Sequence, residues 1–208
     1  MRAIITGASR GLGKALAVFF AGKGFNLELI AKNSAPLEVI KRTLEGDYSV
    51  SVNVHACDFS NPNDSKDLAN RLSKHIDKLD LLINNVGLFE TGLLEQSNSQ
   101  QLERLLNINL LGAFNLSQAF IPLWKKQKRG HVINIGSIVT ELPRKDIAAY
   151  TISKFALKGL TVTLCDELKD HQVKVTEIIP GSINTSSWDG IEGVPKQDFI
   201  QTQELVNA

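Results

Sequence analysis

The sequence predicts an α/β fold in which helices cover both faces of an open parallel sheet. Strand-like and helix-like segments alternate along the 208 residues. Such alternation implies parallel pairing of strands with right-handed crossovers. Glycine and polar residues gather where the predicted strands end, and ligands bind at those ends, where the strand order switches. We therefore expect a single doubly wound domain over residues 1–208.

The first half of the chain alternates clearly between the two periodicities. A short apolar run at 3–5 precedes a glycine turn, and residues 14–21 have the apolar spacing of a helix. Asn61 and Pro62 indicate a helix start, as N-cap and first helical residue. The other predicted elements are a helix at 36–44 and strands at 25–31, 49–56 and 79–83.

The second half continues the same alternation and ends in a helical pattern at 203–208. The run at 79–83 is continuously apolar, as is typical of a strand buried on both faces. The elements predicted after it are helices at 100–109, 112–127 and 147–168, and strands at 131–135 and 173–179.

Composition and charge exclude several classes of function. The net charge of +1 gives no support for a nucleic-acid or anionic-membrane partner. Apolar runs are strand-sized, too short to cross a bilayer, and the chain starts in a strand with no room for a signal peptide. Cys57 and Cys165 are expected to be reduced packing cysteines, which favours a cytoplasmic protein. We predict no metal site, because the four histidines have no ligand spacing: His55, His75, His131 and His171.

The glycine turn that follows the first strand has the spacing G-x-x-x-G-x-G. A glycine turn between strand and helix lets backbone N–H groups face an anion. A tight turn without a ligand explains the glycines equally well. Polar residues at the other predicted strand ends favour a ligand site, because all of them meet in one crevice. These ends are Thr6–Gly7, Asp58, Asn84–Gly87, Gly136–Ser137 and Pro180–Gly181.

Tyr150 and Lys154 are four positions apart in a predicted helix and therefore share a face. Tyrosine is a poor acid–base group at neutral pH, since its ordinary pKa is about 10. An ammonium about 5 Å away, at an effective dielectric of about 20, would favour the phenolate by roughly 3 kcal/mol, about two pK units. Ser137, at the end of a strand, would hold a substrate oxygen. An exposed tyrosine beside a solvated lysine is the alternative.

Taken together, the motifs resemble those of the short-chain dehydrogenase/reductase family over nearly the whole chain. TGASRGLG resembles that family's TGxxxGxG, and the NNVG of Asn84–Gly87 resembles its NNAG with Val86 in place of alanine. PGSINT, at 180–185, resembles its PG motif. The resemblance implies a Rossmann-type fold and hydride transfer between a nicotinamide and a carbonyl or secondary alcohol.

The resemblance also implies four catalytic residues, and all four are present. Tyr150 would act as general acid or base, and Lys154 would lower the pKa of Tyr150 and bind the nicotinamide ribose. Ser137 would position the carbonyl, and Asn109 would support a water that links Lys154 to solvent. A nucleotide-binding regulatory or scaffold protein without turnover is the alternative, which the intact set does not support.

The cofactor site implied by the resemblance takes residues from several strand ends. Asp58 would contact the adenine, and it could also cap the next turn, since the two roles are not exclusive. The implied cofactor-binding residues are Thr6, Gly7, Ser9, Arg10, Gly11, Leu12, Gly13, Lys32, Asp58, Asn85, Val86, Gly87, Tyr150, Lys154, Pro180, Gly181, Ile183 and Thr185.

The end of the second strand favours NADP(H) over NAD(H). An NAD site usually places an acidic residue there, on the ribose 2′-OH. The sequence has Lys32 instead, and Arg10 lies within the glycine turn. Two cations would attract a 2′-phosphate. Alternatively, Lys32 is solvated and Arg10 only covers the turn, which would leave NAD(H) as a cofactor.

Substrate and assembly are less sharply defined. An aldehyde, ketone or 3-oxoacyl group would suit the pocket, and we expect a small-molecule substrate. The family usually continues into a further helix and a seventh strand; residues 203–208 match the opening of that helix, so we expect either a truncated sequence or a member without the end of the sheet. A homodimer or homotetramer through 112–127 and 147–168 is expected, although their apolar residues could serve only the core. The expected pocket wall is the loop at 182–200, with Trp188, Ile191, Val194 and Phe199, together with Leu88, Phe89, Ile138, Val139 and Leu142.

Overall fold

Six parallel strands form one sheet, in the order β3-β2-β1-β4-β5-β6. A computed structural model of the protein describes residues 1–185 and 199–207. The order reverses between β1 and β4, and this opens a crevice at the carboxyl ends of these strands. The doubly wound prediction is therefore confirmed. The strands are β1 Arg2–Thr6, β2 Asn26–Ala31, β3 Val52–Ala56, β4 Leu81–Asn84, β5 Gly130–Ile135 and β6 Val173–Ile178.

Helices cover both faces of the sheet, and most lie close to their predicted positions. The α2 helix is longer than the predicted 36–44. Asn61 caps α3 as predicted, because its side chain accepts a hydrogen bond from the Asn63 N–H. The helices are α1 Gly11–Gly22, α2 Ser34–Asp47, α3 Pro62–His75, α4 Ser99–Leu106, α5 Gly112–Gln127, α6 Ala148–Leu168 and α7 Thr202–Asn207.

Alternate residues of β1 belong to two separate hydrophobic cores. Ala3 and Ile5 are buried in the core that contains residues of α1 and α2. Ile4 is buried in the other core, with residues of α3, α5 and α6. The second core contains Phe120 and Trp124, both fully buried. Burial on both faces explains why the central strands read as continuous apolar runs.

Glu28 is a buried acid within β2, a position that the sequence left unexplained. Its carboxylate accepts a hydrogen bond from Asn53 Nδ2 at 3.1 Å and lies 2.7 Å from His55 Nε2. Both partners are on the neighbouring strand β3. Burial acts to raise the pKa of Glu28, but these hydrogen bonds outweigh it and hold the pKa below its ordinary value. Glu28 is therefore a structural acid that ties β2 to β3.

The helices α4 and α5 form one continuous helical segment, joined by a π-helical turn, Asn107–Leu111. The sequence instead predicts two separate helices at 100–109 and 112–127. The turn carries Asn109, which is buried. Gly112 follows it closely packed on Phe59, where a Cβ would lie 2.3 Å from Phe59 Cδ1. Such π-turns occur frequently at functional sites.

The last described helix, α7, packs on α1 and buries Val206 in the core on that face. The helical pattern at 203–208 is thus present as the helix Thr202–Asn207. Within residues 1–185 and 199–207, β6 is the last strand of the sheet. No helix there combines the length and the apolar character that a bilayer crossing requires. Cys57 is buried as predicted, whereas Cys165 is exposed and does not serve packing.

Candidate active site

A cavity of about 380 Å³ opens at the carboxyl ends of the strands. Its wall takes residues from the ends of β1, β2, β4, β5 and β6. Convergence of strand ends on one crevice is thereby confirmed, with one correction. Ala31 and Lys32 at the end of β2 line the cavity, whereas Asp58 after β3 does not. The segment at 180–185 also contributes, with Pro180, Gly181, Ile183 and Thr185 in the wall.

The glycine turn is too compact for larger residues at two positions. Gly7 has a φ of +66°, in the left-handed region that glycine adopts at no steric cost. A Cβ on Gly13 would lie 2.2 Å from the Gly7 carbonyl oxygen and 2.7 Å from Asn85 Nδ2. The same Asn85 amide donates a 2.8 Å hydrogen bond to the Thr6 carbonyl. The ends of β1 and β4 are therefore fastened together around the turn.

The first turn of α1 has the features of an anion site. Its N-cap residue, Arg10, is extended, and no side chain hydrogen-bonds the cap. The first turn contains no acidic residue, and Ser9, Gly11 and Leu12 line the cavity beside it. Unpaired N–H groups at a helix start carry partial positive charge and bind phosphate. The glycine cradle and the open helix start therefore fit the pyrophosphate of a dinucleotide.

Thr6 shapes the cavity from behind and does not line it. Its side chain is buried, and its Oγ1 accepts hydrogen bonds from the N–H groups of Asn85 at 2.9 Å and Val86 at 3.0 Å. Val86 and Gly87 then pass along the cavity wall. The resemblance to the family implied that Thr6 contacts the cofactor. In the structure Thr6 instead holds the loop that follows β4 in place.

Lys32 and Asp58, both predicted to contact a cofactor, bind each other. Lys32 Nζ lies 2.7 Å from Asp58 Oδ2. Two hydrogen bonds lower the pKa of Asp58 to about 2. The one from Lys32 has the largest effect, and the one from the Ser60 side chain has the next largest. Asp58 also accepts a hydrogen bond from the Ser60 N–H at 3.0 Å, so it caps the turn as expected. Lys32 remains in the cavity wall with its charge already paired.

Asn109 is buried, and both the oxygen and the nitrogen of its side-chain amide form hydrogen bonds. Its Oδ1 accepts from the Leu88 N–H at 2.7 Å, and its Nδ2 donates to the Leu88 carbonyl at 3.0 Å and to Ser153 Oγ at 2.8 Å. Asn109 thus fixes the chain that follows β4 against α6. Gly87 lies between Asn109 and Lys154, because a Cβ there would be 3.6 Å from Asn109 Oδ1 and 3.7 Å from Lys154 Nζ.

Tyr150 points into the cavity at the start of α6. A backbone bridge between Gly92 and Ile147 anchors this end of the helix, and the Phe89 ring meets the Tyr150 ring edge-on at 4.9 Å. Burial raises the pKa of Tyr150, and the hydrogen bond between the Tyr150 and Ser137 side chains partly offsets that rise. Ser137 and Tyr150 therefore both line the cavity, with Ser137 close enough to act on the pKa of the phenol.

Lys154 is buried one helical turn beyond Tyr150, and its Nζ donates to the Ile135 carbonyl at 2.9 Å. Burial lowers the pKa of Lys154 to about 8, and the negative charge of Glu177 acts in the opposite direction. Lys154 Nζ lies 5.9 Å from the centre of the Tyr150 ring. The pKa of Tyr150 is thus raised overall and not lowered as expected, because desolvation of the phenol is the largest effect.

Glu177 is a residue of this neighbourhood that sequence reasoning missed. It lies on β6 against Gly136, where a Cβ would come within 2.5 Å of Glu177 Oε1. Its Oε1 is buried without a hydrogen-bond partner, and burial raises its pKa. The sequence signal that could have revealed it is an acid in a strand rich in β-branched residues, Val173–Ile178.

Apolar side chains form the cavity wall around Tyr150. Leu88, Phe89, Ile138 and Val139 line it as predicted. Leu142 does not line the described cavity and is 66% exposed, so that prediction is wrong. Phe199 is buried, whereas the predicted wall residues Trp188, Ile191 and Val194 lie outside the described residues. Arg144 and Ile147 also line the cavity and were not predicted, and the same is true of Ala31 and Ile135, whereas Ser182 lines it as part of the predicted loop.

Comparison with known proteins adds relatives of the same architecture. Human 3-oxoacyl-[acyl-carrier-protein] reductase is 28% identical over 210 residues, covering 98% of this chain and 87% of the relative. A short-chain dehydrogenase from Sphingobium yanoikuyae, solved with NADPH, matches all of this chain and 82% of its own, with 28% identity and a TM-score of 0.91. An alcohol dehydrogenase from Thermococcus sibiricus, complexed with 5-hydroxy-NADP, matches 99% of this chain and 87% of its own, with 28% identity and a TM-score of 0.89.

The family profile described as short chain dehydrogenase matches residues 1–193. That range contains the glycine turn, the predicted catalytic set and every strand of the sheet. The match, the fold and the converging strand ends lead to one conclusion. The chain belongs to the short-chain dehydrogenase/reductase family of oxidoreductases.

Proposed function

We propose that this protein is an NADP(H)-dependent oxidoreductase that interconverts a carbonyl compound and its alcohol, with Tyr150 as general acid and base. The observation that carries the proposal is that Tyr150 and Ser137 line the apolar end of a cavity whose other end is a glycine cradle. A carbonyl oxygen placed between the two hydroxyl groups would accept hydrogen bonds from both. The bound nicotinamide supplies the hydride, and the protein supplies position and electrostatics.

The protonation state of Tyr150 suits the reductive direction. Because burial raises its pKa, the phenol is protonated at neutral pH and is ready to donate to the carbonyl oxygen. Lys154 is held beside it by the Ile135 carbonyl. Its positive charge would stabilise the phenolate that remains after proton donation. Ser137 would hold the same oxygen and keep the carbonyl aligned.

Proton supply from solvent is proposed to pass near Lys154. Gly87 leaves the space between Lys154 Nζ and Asn109 Oδ1 free of a side chain. We propose that Asn109, by fixing the Leu88 backbone, shapes this space for a water that links Lys154 to solvent. Asn109 is therefore proposed to position the relay, since its own side-chain amide is already bonded within the protein.

The preference for NADP(H) is supported by cations and by relatives. Arg10 and Lys32 line the cavity near the end of β2, and an acidic residue is absent from the end of that strand. The solved relatives from S. yanoikuyae and T. sibiricus carry NADPH and 5-hydroxy-NADP. The glycine turn, Asn85–Gly87, Ile183 and Thr185 would hold the remainder of the cofactor.

Assembly into a homodimer or homotetramer is also proposed. Exposed apolar side chains occur on the two predicted interface helices, Phe114 on α5 and Ile152, Phe155 and Val162 on α6. Burying such side chains against a second copy removes apolar surface from water.

A screen for oxidation of NADPH tests the proposed activity. The panel would contain aldehydes, diketones and 3-oxoacyl thioesters, the last because the human relative is named as a 3-oxoacyl reductase. Turnover of at least one class, with alcohol formed in step with NADPH consumed, supports the proposal. Tight NADPH binding without turnover across the whole panel would favour the nucleotide-binding scaffold instead.

A further inference from the structure

Arg144 is the charged side chain at the substrate end of the cavity. It lies in the segment between β5 and α6, and it lines the cavity together with Val139, Ile147 and Tyr150. Tyr150 lies six residues further along the chain, at the start of α6. The side chains that share this end of the described wall with Arg144, apart from Ser137 and Tyr150, are apolar. Arg144 is therefore a cation at the rim of a pocket whose other side chains at this end are mainly apolar.

The other cations of the described wall are accounted for. Lys32 is paired with Asp58, and Lys154 donates to the Ile135 carbonyl within the proposed catalytic set. Arg10 stands at the start of α1, beside the proposed phosphate site. Acidic residues are absent from the cavity wall over residues 1–185 and 199–207. Arg144 is left as a cation that neither the proposed cofactor nor the proposed proton transfer uses.

The acidic residues nearest to Arg144 along the chain, Glu141 and Asp146, form no ion pair with it among the described residues. Glu141 forms an ion pair with Lys158, and Glu90, next to Phe89, forms one with Arg104. In the part of the chain that the structure describes, Arg144 takes part in no ion pair. An arginine fork is suited to bidentate binding of an oxyanion, either carboxylate or phosphate.

We propose that the substrate is a carbonyl compound that carries an oxyanion, which Arg144 binds while the carbonyl lies between Ser137 and Tyr150. This inference rests on the proposed function and adds the chemical class of its substrate. The apolar wall would contact the carbon skeleton between the two groups. The proposed substrate therefore has an anionic group at the rim of the cavity, an apolar carbon skeleton in the middle and a carbonyl group at the inner end.

Matched aldehydes test the proposal directly. The probes are para-carboxybenzaldehyde, its neutral methyl ester and para-formylphenyl phosphate, each assayed with NADPH at low and high salt. The wild type should show a kcat/KM for at least one anion about tenfold above that for the ester, mainly through KM. Tenfold corresponds to about 1.4 kcal/mol, within the range of a charge-assisted hydrogen bond. Salt should reduce the difference. The ratio of carboxylate to phosphate rates identifies which oxyanion is preferred.

Variants separate Arg144 from general charge. Arg144→Gln should abolish the advantage of the anions and leave the methyl ester unchanged, and Arg144→Glu should reverse the advantage. Lys145→Gln is the matched control, because Lys145 is the adjacent cation and does not line the cavity. It should behave as the wild type. Binding of para-carboxybenzoate, an unreactive analogue, should weaken about tenfold in Arg144→Gln when measured by calorimetry with NADPH present.

The possible failures are distinguishable. If the wild type reduces the ester as efficiently as both anions, or if Lys145→Gln matches Arg144→Gln, the proposed role of Arg144 is overturned and the carbonyl reductase stands. If none of the three aldehydes, nor any carbonyl in the wider panel, is reduced although NADPH binds, the proposed function itself fails.

Discussion

Lys32 Nζ lies 2.7 Å from Asp58 Oδ2, so two residues expected to contact the cofactor neutralise each other. The pair joins the end of β2 to the turn after β3, at one end of the cavity. Lys32 is exposed, and surface ion pairs of this kind are weak enough to open on ligand binding. Arg10 takes part in no ion pair among the described residues. We therefore expect the proposed selection of a 2′-phosphate to depend more on Arg10 than on Lys32.

Replacing Arg10 should weaken NADPH binding selectively. Arg10→Gln is expected to raise the Kd for NADPH about tenfold and to change the Kd for NADH little, because a charge-assisted hydrogen bond to phosphate is lost. Lys32→Gln should have a smaller effect, and Asp58→Asn should tighten NADPH binding by freeing Lys32. Calorimetry with both reduced cofactors measures these constants. Lys14→Gln, an exposed cation of α1 outside the cavity wall, is the control. Tighter binding of NADH than NADPH by the wild type would contradict the preference.

Removing the Tyr150 hydroxyl should stop turnover without removing the cofactor. Tyr150→Phe keeps the ring that packs on Phe89 and loses only the proton donor. General acid catalysis is worth about 10²- to 10⁴-fold, and kcat should fall at least that far. The Kd for NADPH should stay within about twofold of the wild type. Tyr48→Phe changes the other tyrosine of the chain, which does not line the cavity, and should keep full activity. A near-normal rate for Tyr150→Phe would remove its assignment as general acid.

The buried Lys154 should make folding stability depend on pH. Its pKa of about 8 lies below the ordinary 10.5, so the unfolded chain binds this proton more tightly. Burial of the charged lysine therefore lowers the free energy of unfolding by its full amount below about pH 8. This loss of stability disappears as the pH rises from about 8 towards 10.5. Between pH 7 and 10 the wild type should therefore gain roughly 2 to 3 kcal/mol relative to Lys154→Met. Urea unfolding at both pH values measures the difference. A pH-independent difference would mean that Lys154 is not desolvated.

Glu177 should influence the reaction through Lys154. Its negative charge raises the pKa of Lys154, which burial otherwise lowers. Lys158 and Glu141 also act on the pKa of Glu177, with Lys158 lowering it and Glu141 raising it. In Glu177→Gln the pKa of Lys154 should fall, and the alkaline limb of the kcat/KM profile should move to lower pH. Glu167→Gln removes an exposed acid of α6 and should leave the profile unchanged. An unmoved alkaline limb in Glu177→Gln would limit Glu177 to packing.

Local sequence signals predicted the features that depend on one segment at a time. Helical spacing placed Tyr150 and Lys154 on one face, and the Asn61 cap followed from residue type and position. Pairings across elements were not predictable in this way. The Lys32–Asp58 pair and the Glu28–His55 contact depend on which strands are neighbours, and the inward position of Asn109 depends on a π-helical turn.

The same limit applies to the substrate end of the cavity. Apolar residues after a strand can face either the cavity or solvent, and the sequence does not distinguish the two. Val139 faces the cavity, whereas Leu142, three residues later, is exposed. Arg144 was missed because a charged residue in a loop is usually solvated. Its significance comes from the apolar wall around it and from the absence of an ion pair to it among the described residues.

Transfer of deuterium from NADPH labelled at its hydride-donating carbon tests the central claim most directly. The product alcohol from an aldehyde substrate is analysed by mass spectrometry, with wild type and Tyr150→Phe compared at equal cofactor occupancy. We predict that the wild type forms an alcohol one mass unit heavier, with the label on the former carbonyl carbon, and that Tyr150→Phe forms almost none. Bound NADPH that retains its deuterium with every carbonyl tested would contradict the account.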